Sequence, residues 1–150
     1  MRAVIAIITA AAITPGCAMS GPMGSEVLSA KMAPQKSRVV IYRSSAMGFA
    51  VQPDYALNGK AVAASQPNGF IVCNVEPGVH ELSVGNIALN VNFGGGSDKA
   101  KVNLRPGQTA YFKAEPQPGL TIGVITLSEV TENQGLSDTV SLHKIESSCV

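Results

Sequence analysis

Gly69-Phe70-Ile71-Val72-Cys73-Asn74-Val75-Glu76-Pro77-Gly78-Val79-His80-Glu81-Leu82-Ser83-Val84-Gly85 reads as strand, tight turn, strand. Phe70, Val72 and Val75 are apolar before the turn, and apolar and polar residues alternate from Val79 to Val84. Pro77 presets φ at the first central position and Gly78 supplies a positive φ at the second, so a type II turn is expected. Short strands hung on either side of this pair are expected to complete the fold.

On its N-terminal side, Asn58-Gly59 lies between the alternating segments Tyr55-Ala56-Leu57 and Lys60-Ala61-Val62-Ala63. Both central residues tolerate positive φ, which makes this the signature of a two-residue hairpin. Arg38-Val39-Val40-Ile41-Tyr42-Arg43 is a compact β-branched run that predicts a central strand covered on both faces. On the other side Ile87, Leu89, Val91 and Phe93 alternate with polar residues, and Gly94-Gly95-Gly96-Ser97 closes a loose hairpin back to residues 100–104. Arg105-Pro106-Gly107-Gln108 is a further turn before a strand over residues 109–114, which Pro116 and Pro118 break. Residues 120–130 give the last strand. Residues 135–145 fit a short helix, with Leu136 and Val140 at helical spacing, or equally a strand through Val140 and Leu142. The expected fold is therefore all-β: an antiparallel β-sandwich of seven or eight strands over residues 38–150, with a short C-terminal helix.

Composition agrees. Hydrophobic residues make up 45% and charged residues 14%, with 15 Gly and 9 Pro, which suits many short strands and turns. Arg2 is followed by an uncharged run over residues 3–13 and then Thr14-Pro15-Gly16-Cys17, the pattern of a secretion signal. The Gly16-Cys17 junction resembles the lipobox of bacterial lipoproteins, although Thr14 and Pro15 stand where Leu and a small residue are usual. That resemblance implies a signal peptide over residues 1–16 and a lipid on Cys17. Ordinary cleavage after Ala12 or Ser20 is the alternative. Residues 18–37, with Gly21, Pro22, Gly24 and Pro34 and no steady period, read as a tether, so residues 17–37 form a lipid-anchored flexible segment. Some 20 such residues span roughly 25 Å.

Loss of Arg2 leaves 10 basic residues of the 11 against 10 acidic ones. A neutral chain without a basic cluster has no electrostatic reason to bind nucleic acid. With Cys17 acylated, Cys73 and Cys149 remain, an even number in an oxidising compartment, and they are a candidate disulfide. Cys73, following Phe70-Ile71-Val72, also reads as a small buried hydrophobe.

Catalytic patterns are missing from the sequence. His80 and His143 are isolated, with no HExxH or Cys-x-x-Cys spacing to hold a metal, and no nucleophile elbow or phosphate loop is present. The carboxylates Asp54, Glu76, Glu81, Asp98 and Glu115 fall at turns and strand faces, where solvated positions are usual. No enzyme activity, metal or cofactor is expected. Tyr55, Tyr111, Asn90 and Asn92 are the candidate contacts for a small ligand or glycan, the alternative to a protein-interaction module.

Taken in order, Arg38 to Arg43, Leu57-Asn58-Gly59-Lys60, Gly69-Phe70 through Pro77-Gly78-Val79-His80, and Arg105-Pro106-Gly107-Gln108-Thr109-Ala110-Tyr111-Phe112 resemble a family of small bacterial lipoproteins known as domain of unknown function 2846. The Asn-Gly-Lys and Pro-Gly turns also occur in PEGA repeat domains. The family resemblance implies an exported, membrane-tethered β domain with no known catalytic residues. Ala18 after the cysteine resembles lipoproteins sorted to the outer membrane, facing the periplasm. The expected function is a non-catalytic structural or protein-interaction module of the cell envelope, bound to the membrane through its lipid and to an envelope protein partner.

Overall fold

β1 (Ser37–Arg43) is buried along its whole length and divides its side chains between two hydrophobic clusters. Val39 and Ile41 enter the main core; Val40 and Tyr42 enter a second cluster on the opposite face of the same sheet. The run from Arg38 to Arg43 therefore does what its unbroken apolar character predicts. A computed structural model describes residues 21–85, 98–117 and 124–149.

Two sheets form the sandwich. β2 (Asp54–Leu57), β3 (Lys60–Ala64), β4 (Gly69–Val75), β5 (Gly78–Val84), β6 (Lys99–Leu104), β7 (Thr109–Gln117), β8 (Val124–Val130) and β9 (His143–Lys144) join β1, with helices α1 (Gly24–Val27) and α2 (Glu132–Thr139). The first sheet has the order β8-β7-β1-β4-β9 and the second β3-β2-β5-β6. The described residues thus hold nine strands, the short β9 being the one the pattern did not give. The first sheet is mixed rather than purely antiparallel: β1 runs parallel to β7 and β4 parallel to β9. Val39, Ile41, Ile71 and Phe112 from this sheet meet Tyr55, Leu82, Val84 and Leu104 from the other.

The stretch from Gly69 to Gly85 is not a hairpin. β4 pairs with β1, whereas β5 pairs with β2 and β6, so Pro77-Gly78 is a corner where the chain crosses between sheets. Gly78 has φ 134°, open to glycine and strained for other residues. The Asn58-Gly59 hairpin is as expected, with φ 51° and 78° and β2 and β3 paired antiparallel. Pro116 does not break its strand; it lies inside β7 opposite Ile125. β7 has β1 on one side only up to Lys113, so Pro116 lies beyond that pairing, where a missing N–H costs no bond to β1.

Residues 21–37 are not a free tether. The amides of Gly24 and Ser25 donate to the Leu142 and Val140 carbonyls at 2.9 and 3.1 Å, Lys144 N–H donates to the Pro22 carbonyl at 2.8 Å, and Met23 bridges His143. Val27 and Leu28 pack on the second cluster. A Cβ on Gly21 would overlap the Lys144 carbonyl and one on Gly24 the Thr139 carbonyl, so the close approach needs glycine at both. The helix expected near residues 26–31 is the one-turn α1, four residues long and docked through backbone hydrogen bonds and the side chains of Val27 and Leu28.

The C-terminal segment holds both a helix and a strand. α2 begins at Glu132 because the Thr131 side chain caps it, accepting from Gln134 N–H. α2 is pinned to β1 by the Tyr42 hydroxyl, which donates to Asp138 Oδ2 at 2.6 Å. Cys73 and Cys149 form a disulfide with a Cα–Cα distance of 5.0 Å, closing a loop of 76 residues. Ser148 N–H donates to the Val62 carbonyl, so the same tail also ties onto the second sheet. The strand expected over residues 87–93, the glycine loop 94–97 and the start of the strand expected at residue 120 lie outside the described residues.

Candidate functional site

Tyr55 and Tyr111, two of the four candidate ligand contacts, are buried. Tyr55 is 0% exposed in the main core, and its hydroxyl accepts from Ser65 Oγ at 3.0 Å. Tyr111 is 3% exposed beneath α2. Neither ring can stack on a ligand, and the two lie on opposite faces of the first sheet, so the tyrosine patch is not formed. Asn90, Asn92 and Cys17 lie outside the described residues.

All three tyrosines of the chain titrate above the ordinary phenol range. Burial raises Tyr42, reinforced by its bond to Asp138. Burial also raises Tyr111, and pushes Tyr55 up to about 12 against the opposing effects of Ser65 and Arg43. A folded-state value above the unfolded one means stability is fully present below about pH 10, the unfolded phenol value, and is lost as pH rises through the folded values. Phenolate absorbance of the folded protein is therefore expected to rise only above the ordinary phenol range, with Tyr55 ionising near pH 12. Stepwise titration of one tyrosine near pH 10 in the folded protein would contradict this burial.

Arg43 is 0% exposed at the end of β1 and has no carboxylate partner among the described residues. Its guanidinium donates to the carbonyls of Val51 at 2.8 Å, Gly48 at 2.9 Å and Met47, while Nε has no hydrogen-bond partner among them. Burial lowers its pKa. The residue is a brace: one planar group with several donors fixes the backbone of the β1–β2 connection. On this braced loop Met47 is 55% and Phe49 71% exposed. Arg43→Met is expected to destabilise by about 2 kcal/mol, because three carbonyls lose charged donors. It should also open residues 44–53 to limited proteolysis ahead of global unfolding. Unchanged cleavage would mean that other contacts hold the loop.

The histidines and carboxylates are engaged structurally. His80 Nε2 lies 2.8 Å from the Glu76 carbonyl and Nδ1 lies 3.0 Å from Asn58 Nδ2. Asn58 Oδ1 in turn accepts from Glu81 N–H, so the Asn58-Gly59 tip is latched to β5. His143 Nδ1 lies 2.9 Å from the Gly21 carbonyl. Glu76 pairs with Lys36, Glu81 with Lys101 at 3.6 Å, and Glu115 with Lys113 at 2.6 Å. Among the described residues no three His, Cys, Asp or Glu side chains converge as a metal site. No helix among them is long and apolar enough to cross a membrane.

An open apolar groove of about 340 Å³ runs between α1 and α2, lined by Gly24, Ser25, Leu28, Ser29, Leu136 and Val140. Its origin is an inversion in α2. The helix turns its small residues Gly135 and Thr139 inward, with Gly135 against the Tyr111 ring, and leaves Leu136 40% and Val140 47% exposed. The apolar spacing of Leu136 and Val140 correctly suggests a helix, yet their face points away from the sheet. Nothing in the spacing alone tells which face is inward. The signal lies in Gly135, whose missing side chain lets the helix approach an aromatic ring.

The chain is similar to an uncharacterized protein of Haemophilus influenzae, with 27% identity over 135 residues, covering 86% of this chain and 76% of that protein. No family model matches the chain. No solved structure matches it.

Proposed function

We propose that this chain is a lipid-anchored lipoprotein of the bacterial envelope, acting as a non-catalytic structural or protein-interaction module of the kind the domain of unknown function 2846 resemblance implies. The anchor is Cys17, after the uncharged run and Gly16. The bridged Cys73 and Cys149 support an oxidising compartment. The observation that carries the interaction reading is the pair of exposed apolar side chains Met47 and Phe49, held out on the loop that Arg43 braces, which suits contact with an apolar protein surface. Sorting to the outer membrane, facing the periplasm, follows from Ala18 and belongs to the same proposal.

Intact mass of the protein from its own membranes, before and after reduction, tests the anchor. The expected species begins at Cys17 with a lipid-sized excess and gains the mass of two hydrogens on reduction. A chain beginning at Ile13 or Gly21 without that excess would overturn the anchor. Photo-crosslinking in native membranes tests the module: an envelope protein captured from Phe49 or Met47 positions is expected, and no captured partner would remove the interaction reading.

A further inference from the structure

We propose that the α1–α2 face rests on the bilayer that carries the anchor, with Met23, Leu136 and Val140 entering its apolar boundary. This rests on the lipid anchor at Cys17 proposed above and assigns that reading a contact surface.

Residues 21–37 are docked on the body, so only the four peptide steps from Cys17 to Gly21 remain to separate lipid and domain. Four residues reach at most about 14 Å. Gly21 and Pro22 are held on the edge strand β9 by His143 and Lys144, and α1 follows directly. The anchor therefore enters the fold on the side where the groove opens, and the bilayer surface cannot lie far from it.

Met23, just before α1, is 44% exposed, and Leu28 lines the groove together with Leu136 and Val140. A helix that faces its small residues inward and its apolar ones outward leaves an apolar strip uncovered among the described residues. Such strips seat about 5–10 Å into the headgroup and acyl boundary of a bilayer. The groove-lining polar groups are the neutral hydroxyls of Ser25 and Ser29, and the flanking charges on these helices, Glu26, Glu132 and Asp138, are acidic. Contact therefore depends on apolar burial and is expected on zwitterionic lipid, without a requirement for anionic headgroups.

The chain contains no tryptophan, so a single one introduced is a unique reporter. Leu136→Trp and Val140→Trp place it on the proposed face. Val79→Trp is the control, 69% exposed on the second sheet, at the opposite end from Arg43 and His143. Each full-length variant, purified with its native modification, is reconstituted into phosphatidylcholine vesicles with and without brominated acyl chains. Flotation and intact mass are read alongside fluorescence. Expected is a blue shift and about twofold quenching by brominated lipid at positions 136 and 140, and neither at 79. Using two positions guards against one variant misfolding, and retention of the Cys73–Cys149 bridge by mass reports the fold. Protein that carries lipid and floats, yet behaves alike at 136, 140 and 79, would overturn the contact surface and leave the anchor standing. Protein that carries no lipid and does not float would overturn both. Shielding of 136 and 140 that grows with protein concentration without vesicles would assign the face to a second copy of the chain and overturn the bilayer contact.

Discussion

Replacing both Cys73 and Cys149 by alanine is expected to cost about 4.5 kcal/mol, from the loop entropy returned to the unfolded chain by a 76-residue separation. For a domain of this size that corresponds to roughly 15 °C or more in Tm. The bridge also joins layers. Cys73 is in β4 of the first sheet, 1% exposed, while the tail carrying Cys149 is held by the Val62 carbonyl in β3 of the second. Reductant should therefore attack at the half-buried Cys149 sulfur, leaving the buried Cys73 as the departing thiolate. Denaturant melts of the double variant, compared with wild type with and without reductant, give the check. A loss under about 1 kcal/mol would mean that the reduced unfolded chain is already constrained to a similar degree.

Gly135→Ala is the second large effect, and two opposing magnitudes decide its sign. Alanine is favoured over glycine inside a helix by about 1 kcal/mol. The added methyl would, however, fall on the buried Tyr111 ring. α2 cannot retreat cheaply, since Tyr42 holds Asp138 at 2.6 Å and Thr131 caps its start. Overpacking of this kind costs about 1–3 kcal/mol and more when the neighbours cannot yield. A net loss of about 2–3 kcal/mol is expected. Ser137→Ala, on the exposed side of the same helix, should stay within about 0.5 kcal/mol of wild type. Stabilisation by Gly135→Ala would show that α2 packs more loosely on the sheet than its contacts indicate.

What was legible in the sequence was local. Asn58-Gly59 specifies its own backbone angles, so the hairpin could be read without knowing any partner strand. The burial of β1 followed from four residues, Val39 to Tyr42, with no polar alternation between its flanking arginines. Pro77-Gly78 was equally clear as a turn but misleading as a hairpin, because whether two strands pair across a turn depends on which sheet each joins. Tyr55 and Tyr111 were misread for a related reason: an aromatic next to a turn looks available until the facing layer is known. Pro34 and the glycines of residues 21–37 suggested looseness, yet Gly21 and Gly24 are there to admit neighbouring carbonyls. The start of α2 could have been found from Thr131-x-x-Gln134, a capping pattern three residues before the expected boundary.

β9 supplies the last pairing of the first sheet from near the end of the chain, and it lies against β4, whose other neighbour β1 is among the earliest elements. Until residues 143–149 are in place, β4 has a bare edge and Cys73 is an unpaired thiol. The N-terminal segment is in the same position, because Gly21, Pro22 and Gly24 find their partners only in residues 142–144. Closure of the fold therefore waits on residues 142–149: one short segment completes the sheet edge, docks residues 21–24 and supplies the second sulfur, and a molecule lacking it is exposed to misassembly through one strand.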